Sequence, residues 1–269
     1  MRNNRKASYV FSFLIGFMLI LGTNFALSQK HFYMKEKQMY EKFKMATKYF
    51  EKGKSYFQNE KFKKAEEEFN TCIEKMPEHV YAHFYLTQIL NNKGDLDKAL
   101  EHIQRAKENF EIMADLHAYS YQQYCDKLRS EKGQLQTELR DLKDKLPGIQ
   151  DPELKSRYER AITEKEHRVS TITSRLAEPF GQERTIPADY FYWHGNVFYK
   201  LKKFQEAHRQ YLEAVKRNPQ HGNAYNNLAN LYYMAKQYQK ALEYLKHAEE
   251  HGVEVNPEFK KAIQKALEK

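Results

Sequence analysis

A 34-residue recurrence constrains this chain more than any other feature of its sequence. Within Tyr190–Pro219 the order Phe191, Gly195, Phe198, Ala207, Tyr211, Ala214, Pro219 alternates aromatic with small residues and closes on a proline. Gly195 and Ala207 are small where two antiparallel helices would touch, Tyr211 fills the space beside them, and Pro219 cannot continue a helix. A step of 34 repeats the register in Gly222–Val255 through Tyr225, Ala229, Tyr232, Ala241, Leu245 and Ala248. Upstream, Ala46–His79 supplies Tyr49, Gly53, Tyr56, Ala65, Phe69, Cys72 and Pro77, and Val80–Met113 supplies Leu86, Leu90, Ala99, Ile103 and Ala106. The latter has His83 where an aromatic is usual, Thr87 for the glycine and no closing proline, so its far end is expected to run on into the next helix.

This pattern resembles the tetratricopeptide repeat family. The resemblance implies helix–turn–helix units that stack, because one unit cannot bury its apolar face alone. Composition agrees: with only 10 Gly and 7 Pro against 14% aromatic residues, the chain reads as all-α with aromatic knobs at its contacts. The formal net charge is +9, of which Arg2, Arg5 and Lys6 lie in an acid-free leader. Elsewhere both signs are interspersed, the pattern of a solvated surface rather than of the segregated basic face of a nucleic-acid binder, and no nucleic-acid partner is expected.

The leader, residues 1–28, places those cations before the apolar run Val10–Leu21 and ends Ala26-Leu27-Ser28 ahead of Gln29. This fits a signal peptide. An uncleaved membrane anchor is the alternative, since Tyr9–Leu27 is long enough to span a bilayer. Either way the remainder is expected to be exported, periplasmic or otherwise extracytoplasmic, with a membrane-proximal N-terminus. Residues 29–45 extend the first repeat's leading helix as a cap, Phe32, Met39, Phe43 and Ala46 recurring at helical spacing.

Residues 46–113 hold the first two repeats, and a different period follows them. Tyr121, Leu128, Leu135 and Leu142 step by sevens, with Cys125, Lys132, Leu139 and Leu146 on the alternate seam. Pro147-Gly148 stops the run, Asp151-Pro152 restarts a helix, and Tyr158, Ile162, Lys165, Val169, Ile172 and Leu176 form a second seam. Residues 114–178 are therefore expected to form a long antiparallel coiled-coil hairpin that interrupts the solenoid and projects from it, a candidate surface for self-association. A linker at 179–187 leads into repeats three and four at 188–255. Asn256-Pro257-Glu258 then starts a capping helix, 256–269.

Catalytic chemistry is not expected: the chain has no phosphate-cradling glycine loop, nucleophile elbow or zinc-spaced cysteine pair. No cofactor is implied. His247 and His251 are four apart on a helix, but HAEEH lacks the order of a zinc protease, and no metal site is assigned. Cys72 and Cys125 both read as small core residues; a disulfide between them would need an oxidising compartment.

The family resemblance implies a groove along the leading helices, where peptide-binding members hold a ligand with Asn from successive helices and a cation from a later one. Asn196, Asn227, Asn230 and Lys261 occupy such positions, with Tyr192 and Tyr233 as aromatic walls. Tyr192 and Pro257 stand where carboxylate-clamping members carry Lys, so the expected ligand is a peptide or protein tail held by its backbone. The expected function is that of a non-catalytic interaction scaffold or adaptor in a cell envelope. A membrane-anchored assembly or secretion factor working through the arm is the alternative.

Overall fold

The computed structural model describes residues 37–179, 181 and 184–268. The leader and the start of the cap, 29–36, lie outside the described residues. Every long element among those described is an α-helix: α1 at 37–58, α2 Phe62–Lys75, α3 Val80–Lys93, α4 Leu96–Glu108, α5 Phe110–Lys145, α6 Pro152–Ala177, α7 Ala188–Lys200, α8 Phe204–Arg217, α9 Gly222–Met234, α10 Tyr238–Glu250 and α11 Pro257–Leu267. No described helix is long and apolar enough to cross a membrane.

The second helix of each repeat buries the same three positions. Ala65, Phe69 and Cys72 on α2 are fully enclosed, as are Ala99, Ile103 and Ala106 on α4, Ala207, Tyr211 and Ala214 on α8, and Ala241, Leu245 and Ala248 on α10. Their spacing of four and then three residues puts them on one helical stripe, and the alanines let the paired helix approach.

The turns within the helix pairs also share one geometry. Glu60, Gly94, Lys202 and Lys236 adopt positive φ of 58°, 85°, 60° and 59°. The next residue's N–H in each case reaches back to a carbonyl of the preceding helix: Lys61 to Tyr56, Asp95 to Leu90, Lys203 to Phe198 and Gln237 to Tyr232, at 2.9–3.0 Å. This left-handed cap satisfies carbonyls that a helix end otherwise leaves unpaired. Only Gly94 has the residue type that adopts the conformation without strain.

The second and third repeats stack directly on each other across the long inserted helices. Helix α7 packs on α3 and α4. Tyr190 stacks on Phe84 with centroids 4.2 Å apart, Val197 joins the first core cluster, and Lys200 Nζ donates to the Asn91 carbonyl at 2.6 Å. Lys107 and Arg217 sit over the Phe191 ring, 4.0 and 4.4 Å from its centroid, and bind the same seam from α4 and α8.

The expected run-on after the second repeat is interrupted: α4 ends at Glu108, and Asn109 alone separates it from α5. The first turns of α5 belong to the repeat core, with Phe110, Met113, Ala114 and Leu116 buried and Tyr119 against Tyr40 of α1. Farther along, α5 and α6 run antiparallel, linked by Lys143–Glu166, Lys165–Glu138 and Arg168–Glu131. Cys125, Leu128, Leu139, Ile162 and Ile172 are buried between them. Lys165, a cation on the apolar seam, is accommodated because its long stem carries the charge out to Glu138. At the base, the Tyr121 hydroxyl donates to the Glu178 carbonyl at 2.7 Å. Cys72 and Cys125 are both free thiols, and burial pushes the Cys72 thiol up to about 12.

Candidate functional site

The candidate site joining α7 to α9 is built outward from Gly195. A Cβ there would come within 2.5 Å of the Tyr211 ring, so the glycine is what allows that ring to lie under α7. Tyr211 is fully buried, and its hydroxyl donates to Asn196 Oδ1 at 2.8 Å. Burial pushes the phenol well above its ordinary pKa, which makes it a fixed neutral donor. Asn227 on α9 donates from Nδ2 to the same Oδ1 at 2.9 Å.

One amide oxygen thus ties together two repeats and the core tyrosine. The remaining groups, Asn196 Nδ2 and Asn227 Oδ1, make no hydrogen bond among the described residues, and both side chains are half-buried. Together they present a donor and an acceptor, the two functions a peptide backbone offers. Tyr192 flanks the pair, tilted against Tyr211 at 6.2 Å and against His221 at 4.8 Å.

The other three expected residues are engaged with other partners. Asn230 Nδ2 donates to the Asn226 carbonyl at 3.1 Å, a local back-bond within α9. Lys261 is exposed on α11 and paired with Glu258 at 3.1 Å. Tyr233 lies between Tyr238 and Phe259, at 5.6 and 5.4 Å, and so packs α9 against α10 and α11. The structure thus brings Asn196 and Asn227 into direct contact, with Tyr192 against the Tyr211 ring, while Asn230, Lys261 and Tyr233 make contacts of their own.

Histidines carry structural work that the repeat pattern does not signal. His79 and His221, at the same register in the first and third repeats, cap α3 and α9, each accepting through Nδ1 from the backbone N–H three residues on at 3.2 Å. His221 Nε2 then faces Asp189 Oδ1 at 3.1 Å, and this contact holds the Asp189 carboxyl below its ordinary pKa. His83 Nε2 lies 2.8 Å from the Pro77 carbonyl, which only accepts. Nε2 therefore bears the proton, and His83 Nδ1 accepts from His102 Nδ1–H at 2.7 Å. Burial, with the neighbouring His83 second, pushes His102 down to about 4, in keeping with a neutral pair.

At the seam, burial and then Arg217 lower Lys107 to about 8, while burial and Lys107 lower His194 to about 3. Among the described residues, no three His, Cys, Asp or Glu side chains gather where a metal could be held. His247 and His251 instead lie against the Tyr225 ring at 5.2 and 5.7 Å, and His247 reaches Glu250.

Comparison with known proteins agrees with this architecture. The tetratricopeptide repeat family model matches residues 50–111 and 192–251, which flank the inserted helices. Hsp70-Hsp90 organizing protein 2 of Arabidopsis thaliana is 29% identical over 148 residues, covering 51% of this chain and 22% of that protein. Stress-induced-phosphoprotein 1 of Caenorhabditis elegans is 34% identical over 73 residues, 27% of this chain and 22% of its own length. The chain thus spans about a fifth of the length of both curated relatives. Among solved structures, the thermophilic repeat protein TTC0263 of Thermus thermophilus is similar at 14% identity with a TM-score of 0.36, covering 83% of this chain and all of that one. The type IV pilus biogenesis factor PilW is similar at 14% identity with a TM-score of 0.41, covering 83% of this chain and 86% of its own. With their small and aromatic residues buried in one repeating register, residues 50–111 and 192–251 of this chain are tetratricopeptide repeats.

Proposed function

We propose that this protein is a non-catalytic binding scaffold that holds an extended peptide or exposed protein tail along α7 and α9. The observation that carries the reading is the Asn227–Asn196 hydrogen bond, which leaves one amide donor and one amide acceptor side by side and unpaired among the described residues of the groove. Paired bonds to a ligand's backbone would hold it without reading its sequence, and Tyr192 would supply side-chain preference. Tetratricopeptide repeats mediate protein–protein interaction, and the partial match to Hsp70-Hsp90 organizing protein 2 supports a protein ligand.

The wider role we propose is that of an adaptor in a cell envelope, exported by the leader at 1–28. In it, the α5–α6 arm acts as a coiled coil that reaches a second partner or another copy of the chain. The buried seam of Leu128, Leu139, Ile162 and Ile172 supports the arm's independence of a partner. Retention of the leader as an anchor defines the second reading, an assembly factor fixed to the membrane.

The test is recovery of partners from envelope extract by wild type and by Asn227→Ala. Asn227 is the cleaner target, because Asn196→Ala would also strip the Tyr211 hydroxyl of its acceptor. Loss of one backbone-pairing amide is expected to cost about 1–3 kcal/mol of binding. Identical partners at undiminished recovery would overturn the groove reading. N-terminal sequencing of the mature protein separates the two envelope readings: a chain beginning at Gln29 rules out the anchor.

A further inference from the structure

A second groove lies on the trailing-helix side of the third and fourth repeats and shares no lining residue with the Asn196–Asn227 site. It is an open concavity of about 490 Å³ between α8 and the turn joining α9 to α10. Phe204, Leu231 and Ala235 give it an apolar floor, and His208, Arg209 and Tyr232 line its polar side. Phe204 is 36% exposed, an aromatic left partly uncovered against Tyr199. The His208–Tyr232 contact of 2.9 Å fixes both polar side chains before any ligand arrives.

The charged side chain in the lining of this groove is a cation, Arg209. Among the described residues, no carboxylate lines it. Arg209 belongs to it, and Lys240 lies 5.4 Å from the centroid of the Tyr232 ring, close enough to help lower the pKa of His208 after burial. In sequence, Lys203 adjoins Phe204 and Lys236 adjoins Gln237, while Glu206 adjoins Gln205. Among the described residues, the acids on the two helices nearest in sequence, Glu206 and Glu243, form no ion pair with Arg209 or Lys240, whereas many other cations of the repeats reach a carboxylate. A concavity the size of a small-ligand pocket, with an apolar floor, Arg209 in its lining and Lys240 beside Tyr232, neither cation ion-paired among the described residues, is complementary to one kind of segment.

We propose that this lateral groove docks an acidic peptide segment of a partner protein, one apolar or aromatic side chain seated over Leu231 and Ala235 and flanking carboxylates meeting Arg209 and Lys240. It is a binding site beyond the Asn groove and does not depend on it. The scaffold would then grip one partner at two faces of the same repeat pair, or two partners at once.

The experiment is fluorescence anisotropy on the full mature chain with an end-blocked twelve-residue peptide carrying one Phe among Glu and Asp residues. Blocked ends remove the terminal carboxylate as a ligand. Saturable binding is expected that weakens about tenfold or more with Arg209→Glu/Lys240→Glu, with Ala235→Trp, and with Phe→Ala in the peptide. Raising the salt concentration should weaken it as well, since the charges meet near solvent. Asn227→Ala should leave it unchanged, so failure here and failure of the Asn groove are separable. Absence of saturable binding overturns the proposal, as does equal affinity for a peptide with Lys in place of Glu and Asp. Loss of binding with Asn227→Ala alone would assign the peptide to the Asn groove. Sedimentation showing a dimer that Ala235→Trp dissolves would assign the groove to a second copy of this chain, and either result overturns the proposal too.

Discussion

Tyr190 lies flat on Phe84, 4.2 Å between ring centroids, although the two long helices α5 and α6 come between them in the chain. The Tyr190 side chain is almost fully buried and its hydroxyl has no hydrogen-bond partner among the described residues, so the ring holds the seam while the oxygen opposes it. Tyr190→Phe is therefore expected to raise stability by up to about 1–3 kcal/mol, the cost of a buried unpaired polar group. Tyr190→Ala should lose about 3–5 kcal/mol through the cavity it opens. Thermal and urea unfolding of the two variants check this, and a stability loss in Tyr190→Phe would show that the hydroxyl is satisfied in solution.

Removing the arm should leave the solenoid standing. Because α7 docks on α3 and α4 directly, replacing Leu128–Ile172 with a short linker keeps that contact and shortens only an excursion. Circular dichroism should show loss of helix in proportion to the deleted residues and one retained cooperative transition. Aggregation, or collapse of the remaining helix signal, would mean that the arm is part of the core.

Small changes at helix contacts should act in opposite directions. At Gly53 and Gly195 an added methyl group would meet the Phe69 and Tyr211 rings at 2.6 and 2.5 Å, so Gly53→Ala and Gly195→Ala are expected to cost about 1–3 kcal/mol each. At Lys202 and Lys236 the left-handed backbone is strained for a residue with a Cβ. Lys236→Gly should then gain up to about 1 kcal/mol. A fall in melting temperature for Lys236→Gly would refute that strain argument.

Acid should loosen the repeats before it protonates most carboxylates. Burial lowers His79 to about 4 and His194 to about 3, against an ordinary value near 6.5. Since these folded-state values lie below the unfolded one, the unfolded chain binds more protons in the interval between them. Stability is fully present above about pH 6.5 and lost as pH falls toward 4. A two-unit shift at one buried site corresponds to about 3 kcal/mol. His79→Asn keeps a capping acceptor for the Ala82 N–H but cannot titrate. Its melting temperature should vary less between pH 7 and pH 4.5 than that of wild type, and an unchanged slope would exclude His79 as a source.

How much of this was legible in the amino acids depended on whether a residue's role is set by spacing or by environment. Ala207, Tyr211 and Ala214 could be placed because helix packing demands small and large residues at fixed intervals. Asn196 and Asn227 were legible only through the family resemblance, as amides on successive leading helices, although the 34-residue step from Asn196 falls on Asn230. Their bond to each other was not, because an amide can turn inward or outward; Asn230, three residues on, turned back to its own helix. His79 and His221 escaped notice as caps because Ser, Thr, Asp and Asn are the usual residues there. Lys202 and Lys236 gave no sign of their left-handed turns for a similar reason, since glycine is the usual marker. The direct stacking of α7 on α3 was hidden by the insertion itself, which separates in sequence what touches in space.

The Tyr121–Glu178 hydrogen bond ties the outgoing and returning limbs of the arm together where they leave the repeats. From Tyr121 to the tip, α5 extends roughly 35–40 Å at 1.5 Å per residue. Under the proposed function, a molecule gripped at that tip and another held by Asn196 and Asn227 would be tethered to one chain instead of meeting by free diffusion. Each would face the other at an effective concentration on the order of millimolar, enough for pairs with weak mutual affinity to react or assemble.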